Sequence, residues 1–196
     1  MYAYIKGSLI EKSNTYVVIE NAGIGYKIYM SVSAINSLEN IGEQVKIYTH
    51  YYVREDNISL YGFINNEELK MFELLLQVSG IGAKSAIAML SQITPSSFAL
   101  AIITNDVSKL VKIPGIGKKS AERIILELKD KLKNEQAISK TEEVKEVINK
   151  TEEDDEVIEA LQVLGYNKKE IEKALEKLDT SNLGIEDTIK QVLKYL

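Results

Sequence analysis

Two segments of this chain, residues 75–86 and 110–121, have nearly the same sequence at an offset of 35 residues. Each copy reads as the apolar end of a helix, a Gly-Ile-Gly turn, and a second helix that opens with lysine and serine. The repeat pairs four positions: Gly80 with Gly115, Gly82 with Gly117, Lys84 with Lys119 and Ser85 with Ser120. It therefore predicts two similar helical hairpins.

The tripeptide alone is a weak signal, because residues 23–25 are a third Gly-Ile-Gly. That copy lies between two runs of β-branched and aromatic residues, where it most simply turns one strand into the next. The helical context distinguishes the two later copies.

A glycine turn before a helix is suited to binding phosphate. Glycine tolerates a positive φ and lets another backbone come close. The following helix begins with unpaired amides and a partial positive charge, which stabilise an anion. A P-loop is excluded because Lys112 stands where its first glycine is needed, and a dinucleotide fingerprint because Ser85 and Ser120 replace its third glycine. Plain interhelical turns remain the alternative, but the repetition and the lysines favour nucleic acid.

The charge distribution agrees with this interpretation. The chain has a formal net charge of -5, made up of -3 over residues 1–78, +5 over residues 79–133 and -7 over residues 134–196. Lys118, Lys119 and Arg123 lie on the side of their helix away from its apolar residues, so they can face a phosphate backbone. Such contacts do not read bases, so we expect steep salt dependence and little base preference.

Composition limits the chemistry that the chain can perform. There is no cysteine, hence no disulfide or thiolate metal site, and the one histidine, His50, lies in a strand-like run that favours a structural role. The N-terminus lacks the pattern of a signal peptide, and no run approaches a membrane span. We expect a cytoplasmic protein without catalytic residues, metal or cofactor.

The fold class predicted is a multidomain α+β protein, with an N-terminal β-barrel at residues 1–64. Short runs rich in Val, Ile and Tyr predict five strands, at residues 4–10, 16–20, 26–32, 45–53 and 58–63. A short helix is predicted at residues 34–38, with Ser33 as its N-cap. Five strands and a small helix suit an OB-fold, which is common among nucleic-acid-binding modules.

Helical periodicity begins at residue 65. Residues 65–133 predict an all-α domain of about five helices that carries both hairpins, with Asn65 or Asn66 capping its first helix and Thr94 a later one. Residues 134–153 are acidic and polar, which is typical of a flexible linker, although their Glu- and Lys-rich composition leaves a partly helical connector as the alternative. Residues 154–196 predict a three-helix bundle, whose small size suits docking better than catalysis, although a domain without a partner is the alternative.

This arrangement resembles the RuvA family of bacterial Holliday-junction-binding proteins over the whole chain. The most specific segments are residues 53–56 with 60–63, 113–123 and 161–166. The resemblance implies a homotetramer, or an octamer of two stacked tetramers, that holds a four-way junction open and planar. It would deliver the junction to the hexameric ATPase RuvB for branch migration in recombination, DNA repair and the SOS response, with the resolvase RuvC also in the complex.

The resemblance also implies roles for individual residues. The DNA-binding set would be Gly80, Gly82, Lys84, Gly115, Gly117, Lys118, Lys119, Ser120 and Arg123. Glu55 and Asp56 match an acidic pin, whose carboxylates near a tetramer's centre would repel phosphates and favour junctions over duplexes. Taken alone, the same pair is simply an exposed hairpin tip. The motor-docking positions would be Leu161, Leu164 and Tyr166, although some of these apolar residues must also fill the core of the small bundle.

An enzyme that acts on DNA, such as a nuclease or glycosylase anchored by the hairpins, is the alternative function. No metal-binding pair of carboxylates or activated nucleophile stands beside the hairpins in sequence, and Glu55 with Asp56 is a weak candidate. We therefore expect a non-catalytic subunit of an ATP-dependent branch migration complex.

Overall fold

The computed structural model describes residues 2–55, 57–139, 152–178, 180 and 183–196. The chain divides into two compact units: Met1–Glu73 with Gly82–Ile93, and Leu74–Ile81 with Thr94–Leu196.

A closed barrel of five strands forms the N-terminal domain. Its strands are β1 (Tyr4–Lys12), β2 (Tyr16–Asn21), β3 (Ile24–Tyr29), β4 (Gln44–Val53) and β5 (Ile58–Phe63). Around the barrel the order is β1-β2-β3-β5-β4, and β4 pairs with β1 to close it. Alternate side chains point inward, so Leu9, Ile19, Ile28 and Ile47 are fully buried. The predicted OB-like barrel is confirmed.

The small helix α1 spans Val32–Ser37, so the predicted start was two residues late. Its N-cap is Ser31, whose Oγ accepts a hydrogen bond from the Ala34 N–H at 3.1 Å. The predicted cap, Ser33, lies inside the helix. Ser31 has the extended backbone that a cap requires, with φ -66° and ψ 150°.

The turn between β2 and β3 also differs from the prediction. Ala22 and Gly23 have φ of 51° and 79°, as the central residues of a type I′ hairpin turn require. Ile24 and Gly25 already belong to β3, where Gly25 pairs with Glu20. Only the first glycine of that tripeptide is therefore in the turn.

Five helices follow within residues 66–139: α2 (Asn66–Leu76), α3 (Ala83–Leu90), α4 (Pro95–Ile103), α5 (Val107–Val111) and α6 (Lys118–Ser139). The Asn65 Oδ1 accepts the Glu68 N–H at 2.8 Å, and the Thr94 Oγ1 accepts the Ser97 N–H at 3.2 Å. Pro95 occupies the first position of α4. The capping roles of Asn65 and Thr94 are as predicted.

Three further helices form the C-terminal segment: α7 (Glu152–Val163), α8 (Lys168–Leu175) and α9 (Ile185–Leu193). Gly165, with φ 79°, follows α7. Helical structure overlaps the predicted linker at both ends, since α6 continues to Ser139 and α7 begins at Glu152. Residues 140–151 of that linker lie outside the described residues.

The terminal helices α7 and α9 pack against α4 inside the second unit. At this contact, the Ser97 Oγ donates to the Glu186 Oε1 at 2.5 Å, and the Lys109 Nζ lies 3.6 Å from the Glu186 Oε2. The Ser97 hydroxyl, and then Lys109 and Lys190, hold the pKa of the Glu186 carboxyl below its usual value, although partial burial opposes them. We call these residues the α4–α9 contact.

Among the described helices, none is by itself long and apolar enough to cross a membrane. Together, the consecutive helices α3 and α4 reach that length and composition.

Candidate nucleic-acid interface

The two glycine turns share three backbone hydrogen bonds. We call residues 77–82 the first elbow and residues 112–117 the second elbow. Three bonds from a backbone N–H to a carbonyl oxygen recur at the 35-residue offset, with lengths of 2.9–3.1 Å. In the first elbow they run from Val78 to Leu75, from Ile81 to Val78 and from Ala86 to Gly82. The equivalent bonds of the second elbow run from Ile113 to Leu110, from Ile116 to Ile113 and from Ala121 to Gly117. The sequence repeat is thus a repeat of local structure.

One glycine of each elbow is required by backbone conformation. Gly80 has φ 84° and Gly115 has φ 85°, a left-handed region in which residues with a side chain are strained. A Cβ on Gly115 would have nothing within 4 Å, so conformation alone explains this glycine.

The second glycine of each elbow has no such explanation. Gly82 has φ -97°, which any residue adopts, and the φ of Gly117 is also outside the left-handed region. A Cβ on either residue would meet nothing within 4 Å. Gly82 is the N-cap of α3, a position that favours glycine over alanine, but neither a positive φ nor internal packing demands glycine at either residue. The missing side chains leave the starts of α3 and α6 open to an approaching ligand.

The lysines beside the elbows are accessible. Lys84, Lys118 and Lys119 are exposed, and Lys118 forms only a long pair with Glu122, at 3.9 Å. Within the described part of the chain, the side chains of Lys84 and Lys119 form no hydrogen bond or ion pair. Their ammonium groups can therefore meet phosphates without first breaking an internal contact. Ser120 is half-buried.

Arg123 has an internal contact as well as an exposed position. Its Nη1 donates to the Ser79 carbonyl oxygen at 3.4 Å, which engages one of the five donors of the guanidinium. Four residues further along α6, the Glu127 Oε2 accepts the Ser79 N–H at 3.0 Å. Glu127 was not among the residues predicted from the sequence, although its spacing from Arg123 places the two on one helix face.

Other charges of the basic segment serve the fold. The Lys129 Nζ donates to the Ile103 carbonyl oxygen at 2.7 Å, at the C-terminal end of α4. The Asp106 Oδ1 accepts the Lys109 N–H at 2.9 Å as the N-cap of α5. A hydrogen bond from the Ser108 hydroxyl, together with that N–H, lowers the pKa of the Asp106 carboxyl. Lys129 therefore does not add to the accessible charge beside the elbows.

Glu55 lies at the tip of the β4–β5 hairpin and is exposed. The hairpin is closed by mutual backbone hydrogen bonds between Arg54 and Asn57, of 2.8 and 3.4 Å. Its predicted neighbour in the acidic pin, Asp56, lies outside the described residues. For Glu55 the structure agrees with the exposed tip that the sequence alone suggested.

The positions matched to motor docking are buried. Leu161, Leu164 and Tyr166 are 0%, 1% and 8% exposed, and the Tyr166 N–H donates to the Leu161 carbonyl oxygen at 3.2 Å. These side chains lie in the packing of the second unit rather than on its surface.

His50 has the contacts of a packing residue. Its Nδ1 lies 3.0 Å from the Glu73 Oε1, and its ring centre lies 5.3 Å from that of Phe72. In the part of the chain that the structure describes, no group of three His, Cys, Asp or Glu side chains is placed to hold a metal ion.

Comparison with known proteins gives matches along most of the chain. Residues 1–62 match the model for the RuvA N terminal domain, residues 72–130 that for the SAM-like helix-hairpin-helix tandem, and residues 152–196 that for the RuvA C-terminal domain.

Similar full-length proteins are named Holliday junction branch migration complex subunit RuvA. The protein of Acetivibrio thermocellus is 49% identical, with 100% of this chain and 98% of the relative covered. That of Ruminiclostridium cellulolyticum is 46% identical, with 100% of both covered. That of Clostridium tetani is 45% identical, with 100% of this chain and 99% of the relative covered.

Proposed function

The chain belongs to the RuvA family, and from that premise we propose that it binds Holliday junctions as the DNA-binding subunit of a branch migration complex. The observation that carries the proposal is the pair of elbows. They share three backbone hydrogen bonds and a left-handed glycine, and each has a second glycine that neither a positive φ nor internal packing requires.

The proposed contacts are with phosphates. The N–H groups at the starts of α3 and α6 would bind phosphate oxygens, and Lys84, Lys118 and Lys119 would neutralise backbone charge. Ser120 would add a hydroxyl, and Arg123 would use donors that Ser79 leaves unoccupied. Contacts of this kind hold DNA without reading its bases.

The assembly proposed is a homotetramer, alone or stacked as an octamer, that holds the junction open and planar. Glu55 and Asp56 from each subunit would lie near the crossover and repel strands that approach it. Support for this role is the exposed position of Glu55 on a tight hairpin tip.

The partners proposed are the hexameric ATPase RuvB and the resolvase RuvC. The chain would supply no catalysis of its own, and RuvB would hydrolyse ATP. Because Leu161, Leu164 and Tyr166 are buried, we propose that they act in docking by maintaining the shape of the terminal helices.

The main experiment measures the Kd for a labelled four-way junction and for a duplex of the same sequence, in the presence of magnesium. Lys119→Glu is expected to weaken both complexes. Lys177→Glu makes the same charge change at an exposed C-terminal position and is the matched control. Equal effects of the two variants would refute the elbow assignment. Cleavage of the DNA by the purified protein would support the alternative, a DNA-processing enzyme.

A second experiment addresses the acidic pin. Glu55→Gln combined with Asp56→Asn removes both charges with little change in shape. The ratio of duplex Kd to junction Kd is expected to fall, because the repulsion that disfavours continuous strands is lost. If the ratio stays at its wild-type value, the pin proposal fails.

A further inference from the structure

A hydrogen-bonded bridge joins α6 to the turn of the first elbow. Arg123 and Glu127 leave the same face of α6 on successive helical turns. Glu127 accepts the Ser79 N–H at 3.0 Å, and Arg123 donates to the Ser79 carbonyl oxygen at 3.4 Å. Both backbone polar groups of Ser79 are thus held by the helix that begins at the second elbow.

The second elbow lacks the donor that Glu127 accepts from the first. At the 35-residue offset, the residue equivalent to Ser79 is Pro114. Proline has no N–H, so the second elbow has no donor to satisfy at this position. The first elbow does have one, and Glu127 supplies its acceptor.

Glu127 carries a negative charge in a segment that is positive overall. It lies in the segment of residues 79–133, whose net charge is +5, and a carboxylate there weakens attraction for phosphates. Glu127 is half-buried, whereas Glu122 on the same helix is exposed. If only charge mattered, removing either carboxylate would strengthen DNA binding.

We propose that Glu127 is a positioning residue for DNA binding. With Arg123, it fixes the Ser79–Gly80 peptide relative to the second elbow, which lies in the same compact unit. The inference rests on the proposed function, since it requires both elbows to bind phosphates of one DNA. Phosphates along a helix have set spacings, so a Ser79–Gly80 peptide that is already held in register with the second elbow loses less freedom on binding.

The first test compares three variants in junction binding. Glu127→Ala is expected to raise the Kd about tenfold, although it removes a negative charge. Glu127→Gln keeps an acceptor oxygen and is expected to retain most of the affinity. Glu122→Ala removes the same charge without touching Ser79, so its Kd should be equal to or below that of wild type. If Glu127→Ala binds as tightly as wild type or more tightly, the inference is refuted.

The second test uses the free, full-length protein and needs no DNA. Hydrogen exchange measured by NMR is expected to be faster at the Ser79 N–H in Glu127→Ala than in wild type or in Glu127→Gln. An unchanged exchange rate in Glu127→Ala would refute the bridge itself.

A third test copies the second elbow into the first. Ser79→Pro removes the N–H that Glu127 accepts, so adding Glu127→Ala to it should change the Kd less than about twofold. A tenfold rise in Kd from Glu127→Ala in both the wild-type and the Ser79→Pro protein would overturn the proposal. The same comparison separates positioning from a general loss of folding.

Lys119→Glu distinguishes a failure of the positioning role from a failure of the proposed function. If it weakens binding while Glu127→Ala does not, only the positioning role fails; if it has no effect, the proposed function fails.

Discussion

The four elbow glycines divide into two pairs that should respond differently to alanine. Gly115 is held at φ 85°, with nothing within 4 Å of an added Cβ. Gly115→Ala therefore places an L-residue in the left-handed region without a packing clash, at a cost of about 1–2 kcal/mol. For a chain of this size, that corresponds to a fall in Tm of about 2–8 °C.

Gly117 provides the matched control. Its backbone is outside the left-handed region, and its Cβ would also have nothing within 4 Å. Alanine reduces the conformational entropy of the unfolded chain, which stabilises the folded protein by about 0.4–1 kcal/mol. It is also less favourable than glycine in the position before a helix, which destabilises the folded protein by a similar amount. Gly117→Ala should thus leave the free energy of unfolding nearly unchanged. It should nevertheless raise the junction Kd if phosphate binds at the start of α6 as proposed, because the new methyl group would lie in its path.

The assays are denaturant unfolding and junction binding on both variants, with Gly115→Asn as a third. Asparagine tolerates the left-handed region better than alanine, so Gly115→Asn should lose less stability than Gly115→Ala. If Gly115→Ala is as stable as wild type, positive φ is not the reason for that glycine. If Gly117→Ala binds the junction with unchanged affinity, the argument from its missing side chain is incorrect.

Three further outcomes are expected. Lys119→Glu should reduce the slope of log K against log salt by about one for each phosphate that is no longer neutralised, and an unchanged slope would contradict binding of Lys119 to phosphate. Asp106→Ala should cost about 1 kcal/mol in denaturant unfolding, whereas Asp106→Asn keeps the N-cap and should cost little; equal losses would exclude capping as the cause. Because the folded pKa of Glu186 is lowered, its stabilisation is complete above the usual value of 4.5 and is lost as pH falls through the folded pKa. Part of the acid sensitivity in thermal unfolding should then disappear in Glu186→Gln, and identical pH profiles would count against the α4–α9 contact.

Sequence was most informative where interactions are local. The cap at Asn65 joins residues three apart, and the bonds of each elbow join residues three or four apart. Such bonds depend on a few adjacent residues, so a repeat in sequence became a repeat in structure. The sequence predicted the turn at residues 23–25, but the structure places it at Ala22 and Gly23. The tripeptide does not reveal this shift, which results from the pairing of Gly25 with Glu20 on the neighbouring strand.

The sequence by itself determined the barrel, the hairpins, the terminal helices and the excess of positive charge beside the elbows. Tertiary structure alone decided how particular side chains are used. The Glu127–Ser79 bond spans 48 residues, the Lys129–Ile103 bond 26 and the Ser97–Glu186 bond 89. Partners this far apart are brought together by the packing of whole helices, whereas a hydrophobic pattern specifies only which face of each helix is buried. For the same reason, the pattern placed Leu161 and Leu164 on one apolar face of a helix but left open which of them pack and which dock, and only the packed helices showed both to be buried.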